Sequence, residues 1–164
     1  MIPEEAKQFI GRTDPPHVRE VEAGAIRRYA DAAGDDNPLY RDREQARKSK
    51  YGDIVAPPGF FGWPIKPVPE LEAIMGLMSA VINAGYHRIL DAGMSFEFFL
   101  PVRVGDILIA SPKVADVTEK EGKSGTMIVC SFETTYLNQN GDPIAKSYQK
   151  VICSKPRNTG VEKC

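Results

Sequence analysis

The chain is poor in the residues that most often carry chemistry at neutral pH. Only two residues of 164 are histidine, His17 and His87, and only three are cysteine, Cys130, Cys153 and Cys164. Two histidines so far apart suggest neither a Ser–His–Asp arrangement nor a metal cluster, so no metal and no cofactor is expected. An odd number of widely spaced cysteines fits neither a disulfide framework nor a zinc site, and points to a reducing, cytoplasmic setting. Cys130 alternates with Ile128, Phe132 and Tyr136, which predicts a buried small hydrophobe, and Cys164 reads as an exposed tail thiol. No apolar run approaches the ~20 residues of a membrane span. The opening MIPEEAKQFIGR lacks the apolar stretch of an export signal, so no export is expected. A net charge of −1 gives no overall attraction to nucleic acid or to an anionic membrane.

What is present is an ordinary globular composition, 42% apolar and 26% charged, which predicts one domain over 1–153 and a frayed tail over 154–164. A short β-like stretch, Val18 to Val21, leads into a helical pattern of Ile26, Tyr29, Ala30 and Ala33, with Gly34 placed for a C-terminal cap. Residues 34–40, GDDNPLY, leave the helix because Pro38 pushes Asn37 out of the α region. Residues 41–52 read as a short basic helix. Residues 54–69, IVAPPGFFGWPIKPVP, hold five prolines and predict an ordered apolar covering rather than a regular helix. Residues 70–85 predict a buried helix with Leu71, Ile74, Met75, Met78, Val81 and Ile82 on its apolar face.

From residue 92 the period changes to two. Strands are predicted within 92–106, 106–118, 124–138 and 144–153, with a corner at PVRVGD and a hairpin turn at NGDP. The order predicts an α+β fold: a four-strand antiparallel meander, strongly bent, with one long central helix on its concave face. Read without further context, Asp35, Asp36 and Asn37 satisfy backbone groups at a turn. His17 reads as an exposed residue at a strand start and His87 as a helix-end residue, a replacement acid–base role being its other reading. The aromatic run Phe60, Phe61 and Trp63 is a core covering or an acyl channel. Arg41, Arg43, Arg47, Lys48 and Lys50 form a solvated basic face or attract phosphates; Arg88 and Arg103 are weaker candidates.

Three stretches in order, AIRRYADAAGDDNPLYRDREQA, YGDIVAPPGF and FEFFLPVRVGDIL, resemble the MaoC-like hydratase/dehydratase family, specifically its N-terminal MaoC dehydratase domain, over roughly 5–153. The resemblance implies a hot-dog fold, dimers of hot dogs with sites at the dimer interface, and acyl thioesters of coenzyme A or acyl carrier protein as substrates. Catalytic members carry a motif similar to G-D-x-N-P-x-H, whose acid and histidine activate a water that adds to C3 of a 2-enoyl thioester. Mapped onto this chain, the catalytic positions are Asp35, Asn37 and, where the histidine would stand, Tyr40. A free phenol titrates about 3 units above a free imidazole, a handicap of about 4–5 kcal/mol for a base unless a cation such as Arg41 or Arg43 lowers it. A second motif, similar to I-V-H-G-M at the start of the central helix, falls on Ile54, Val55, Ala56, Pro57 and Pro58. There Pro57 has no N–H to offer a thioester oxygen, whereas Gly59 has one.

The resemblance therefore implies substrate-binding roles for Pro57, Pro58, Gly59, Phe60, Trp63, Arg41 and His87. The expectation is a subunit of an (R)-specific 2-enoyl-thioester hydratase or 3-hydroxyacyl-thioester dehydratase, with a partner hot-dog chain supplying the Asp/His pair. A self-sufficient homodimeric hydratase or thioesterase, and a non-catalytic acyl-CoA-binding protein, are the alternatives. No nucleic-acid or membrane partner is expected.

Overall fold

The computed structural model describes residues 1–62, 71–122 and 125–156. Trp63, Cys164 and most of the tail lie outside these residues. Among these residues, four α-helices, α1 (Glu4–Lys7), α2 (Ala23–Ala33), α3 (Arg43–Lys48) and α4 (Glu72–Asn83), accompany five strands. The strands are β1 (His17–Glu20), β2 (Arg88–Phe98), β3 (Ile107–Gly122), β4 (Gly125–Leu137) and β5 (Pro143–Ser154). They form one antiparallel sheet in the order β1-β3-β4-β5-β2.

The alternating pattern of the second half becomes strands as expected, but the connection differs. β3, β4 and β5 form a meander, whereas β2 crosses to the far edge and pairs with β5, Arg88 opposite Ser154 and Phe98 opposite Ala145. The cause lies in residues 99–106. Pro101 cannot donate to a ladder, and the corner is tied elsewhere: Val55 bridges Arg103, and the Arg103 N–H donates to Asp106 Oδ2 at 2.7 Å. This is too wide for a hairpin between β2 and β3, which need two to five residues between them. The turn at 138–142 is tight, because Asn138 Oδ1 accepts from the N–H groups of Asn140 and Asp142, both at 2.9 Å.

Two packed clusters lie on the same sheet. α4 rests on Val114, Val117, Ile128, Cys130, Phe132 and Cys153. Its buried residues are Ala73, Leu77, Ala80 and Val81, while Met75, expected inside, is 60% exposed. An apolar helix can turn several faces inward. Here the small side chains of Ala73 and Ala80 select the face, letting Leu77 approach the strands closely. At Gly76 a Cβ would sit 2.5 Å from the Phe9 ring, so the glycine admits the N-terminal segment against the helix. Cys130 is buried as predicted; contact with the Cys153 thiol, then burial, keeps its thiol protonated.

The start of α4 is closed by a residue far away in sequence. Buried Asp14 accepts from the Ala73 N–H at 2.6 Å and the Ile74 N–H at 3.2 Å, satisfying donors that a helix end leaves unpaired. The second cluster gathers Ile26, Ala30, Tyr40, Ile54, Val55 and Phe60 over Leu108, Tyr136, Ile144 and Ala145, at the other end of the strands. His17 opens β1 but is half-buried rather than exposed. Its Nε2 is enclosed without a hydrogen-bond partner, and burial lowers its pKa.

Candidate active site

The segment after α2 is built by its own side chains. Gly34 takes φ +66° and ends the helix. Asp35 Oδ1 accepts from the Asn37 N–H at 3.0 Å, and Asn37 Oδ1 accepts from the Leu39 N–H at 3.0 Å, capping a 3-10 turn over Pro38–Tyr40. Arg41 clamps the turn from outside. Its guanidinium donates to the Asp35 carbonyl at 2.9 and 3.3 Å, pairs with Asp31, and lies 3.5 Å from Asp36. Arg43 pairs with Asp53 at 3.1 Å. Both arginines are thus engaged with carboxylates, and neither lines the cavity described below.

Tyr40 is buried. Burial first, and the Asp35 charge second, push its phenol above the ordinary value, while a hydrogen bond with Asn37 pulls the other way. The net rise keeps the phenol neutral at physiological pH, a donor of hydrogen bonds and a poor base.

Residues 54–58 lie against this turn as irregular chain, not as a helix start. The Val55 N–H donates to Leu39 O at 3.2 Å, the Ala56 N–H to Val102 O at 2.9 Å, and the Val104 N–H to Ile54 O at 3.0 Å. A 3-10 turn over Phe60–Gly62 follows, and α4 begins at Glu72 with its first amides taken by Asp14. This irregular course agrees with the covering segment expected from the prolines, and the helix that follows lies within the 70–85 expected for it. Pro57 and Pro58 lack the N–H that an i→i−4 ladder would need there. Gly59 takes φ +87°, and a Cβ there would meet Tyr29 Oη at 2.7 Å, so a side chain is excluded on two counts. Phe60 is buried edge-on against Tyr29, ring centroids 5.8 Å apart.

Together these segments and the end of β2 border an open-sided cavity of about 480 Å³, a size typical of small-ligand sites. Asn37, Tyr40 and Lys50 give it polar groups. Leu39, Val55, Pro57, Pro58, Phe61 and residues 98–102 give it apolar walls. Of the residues expected at a site, Asn37, Tyr40, Pro57 and Pro58 line this cavity. Asp35, Arg41, Gly59, Phe60 and His87 do not; Asp35 and Arg41 hold the turn, Gly59 and Phe60 anchor the neighbouring loop, and His87 is exposed just before β2. The wall from Phe98 to Val102 was not anticipated as site, although its unbroken apolar run departs from strand alternation.

A bent antiparallel sheet with a helix across one end of it, and a cavity beside the GDDNP turn, define a hot-dog protein, the fold of solved MaoC-like dehydratases. A family model described as FAS1-like, dehydratase domain region, matches residues 8–147, and the chain belongs to that family. A UPF0336 protein of Streptomyces griseus subsp. griseus is 32% identical over 148 residues, covering 89% of this chain and 93% of that relative. A probable enoyl-CoA hydratase alpha subunit of Thermomonospora curvata is 26% identical over 163 residues; the chain spans about half of its length, 51%. The fold matches that of the ChsH1-ChsH2 complex from Mycobacterium tuberculosis with a TM-score of 0.82 at 20% identity, covering 94% of this chain and 96% of the matched chain.

Proposed function

We propose that this chain is one subunit of an (R)-specific hydratase/dehydratase acting on 2-enoyl and 3-hydroxyacyl thioesters, and that a partner hot-dog chain supplies the acid–base pair. The observation that carries the reading is the cavity itself. It has the size and apolar lining for an acyl thioester, yet Tyr40, which with Tyr51 gives it a phenol and which stands where the histidine would, is pushed away from the range a base needs. Asp35, the other half of the expected pair, has one carboxylate oxygen committed to the turn. In the reaction a base takes a proton from water as its oxygen bonds C3, and the electron pair of the C2–C3 double bond moves onto the thioester carbonyl. Protonation at C2 then restores the carbonyl; dehydration is the reverse. This chain would supply hydrogen bonds from Asn37 and Tyr40 and a dry wall against which the acyl group lies.

The edge strand supports a partner of the same fold. Leu90, Ile89, Phe98, Phe99 and Leu100 are exposed along and just beyond β2, whose outer edge has no strand beside it among the described residues. Such a partner would cover β2 and the open side of the cavity together. Lys50, on the cavity wall with its ammonium 5.1 Å from the Tyr51 ring centroid, would meet a phosphate of coenzyme A or of a carrier's pantetheine arm.

The test is crotonyl-CoA hydration by the chain alone and by the chain co-expressed with a hot-dog protein bearing a complete G-D-x-N-P-x-H. Activity is expected only in the pair. Ordinary turnover by the isolated chain, unchanged in Tyr40→Phe, would sink the partner model.

A further inference from the structure

We infer that Phe61 sets how long an acyl group the cavity admits, an inference that rests on the thioester reading above. Its position is fixed by the two residues before it. Gly59 meets Tyr29 Oη too closely for any side chain, and Phe60 is buried edge-on against the same tyrosine. With these anchors on the core side, Phe61 faces the cavity as part of its wall.

The ring packs against other aromatic rings. The Phe61 centroid lies 4.9 Å from Tyr136, 6.0 Å from Phe98 and 6.3 Å from Phe96. Phe98 shares the cavity lining, whereas Tyr136 and Phe96, both packed on the Phe61 ring, do not, so a shorter side chain at 61 would extend the cavity toward them. The polar groups, Asn37, Tyr40 and Lys50, suit the thioester and its phosphate-bearing arm, and the aromatic wall suits the hydrocarbon end. An acyl tail then stops at a side chain, and a side chain can be shortened without moving the turn that carries it. Rings packed at these distances also resist sideways displacement, so a longer tail meets a rigid stop.

The experiment is equilibrium binding of butanoyl-, octanoyl-, dodecanoyl- and hexadecanoyl-CoA to the full chain, together with any hot-dog chain that co-purifies with it. Affinity in the wild type is expected to fall beyond octanoyl. Phe61→Ala should tighten dodecanoyl-CoA by about tenfold or more while leaving butanoyl-CoA within about twofold, and Phe61→Trp should move the cutoff to shorter chains. Phe61→Leu, which keeps an apolar group in the turn, should shift the profile in the same direction as alanine but by less. If circular dichroism shows that the alanine variant does not fold, the leucine and tryptophan variants decide the matter by the same readout. Acyl-CoA binding with one length profile in all variants overturns the role of Phe61 and leaves the thioester reading standing. No binding of any acyl-CoA by the wild type overturns both.

Discussion

The two ends of the sheet are covered in different ways. Over Val114, Ile128 and Cys130 lies α4, with small residues against the strands and its first amides capped by Asp14. Over Leu108, Tyr136 and Ile144 lie α2 and a series of turns, held by side-chain-to-backbone bonds at 35–39 and by single backbone bonds at 54–60, and leaving a cavity of about 480 Å³. The strands β3, β4 and β5 run through both regions, so the difference comes from the covering segments alone. A regular helix can pack its face without gaps; irregular chain satisfies its backbone only at particular points, and the space it leaves is where a ligand can enter.

The sharpest test compares equivalent truncations. Leu77→Ala, in the fully buried face of α4, is expected to cost about 3–5 kcal/mol in urea unfolding, and Leu39→Ala, on the cavity wall, less than about 2 kcal/mol, because the space beside it is already open. Equal losses would erase the distinction between the two ends. Next in size, Asp14→Ala strips two amides of their buried acceptor and is expected to cost about 1–3 kcal/mol, with acyl-CoA affinity unchanged; a fall in affinity would couple the helix to the cavity. The smallest effect is a slope. Tyr40 is raised above 10.0 in the fold, so the folded phenol stays neutral where the unfolded one ionises. Its contribution is complete below about pH 10 and is lost as pH rises through the folded value. Tyr40→Phe should therefore flatten the alkaline fall in urea midpoint, leaving the part due to Tyr136, which burial also raises. An unchanged alkaline slope would place Tyr40 in water rather than against the cavity.

What could be read beforehand was what depends on near neighbours in the chain. Strand periodicity, the Gly34 cap and the Asn138–Asp142 turn are local, and so is the GDDNP turn, whose bonds span two residues each. Three features were not local. The rotation of α4 depends on which side chains meet the sheet, and Met75 is as apolar as Leu77. The partner of β2 depends on how residues 99–106 are tied to Val55 and Asp106. Asp14 carries no mark of its role, because the amides it caps are 59 and 60 residues further on. The cavity has the same character: its turn was visible, but the wall from Phe98 to Val102 came to it through the fold.

The pairing of β2 with β5 also constrains the order in which the molecule assembles. β3 and β4 form a hairpin closed at Gly122 and Gly125, and α4 can settle on them as soon as both exist. β2 leaves the ribosome before either, yet no strand among the described residues pairs with it except β5. Long-range pairing of this kind pays its loop-closure entropy before any contact returns it, which slows folding. β5 is thus a late closing strand that docks β4 on one side and β2 on the other. Until it docks, the apolar residues of β2 wait without a neighbour, and with them one wall of the cavity.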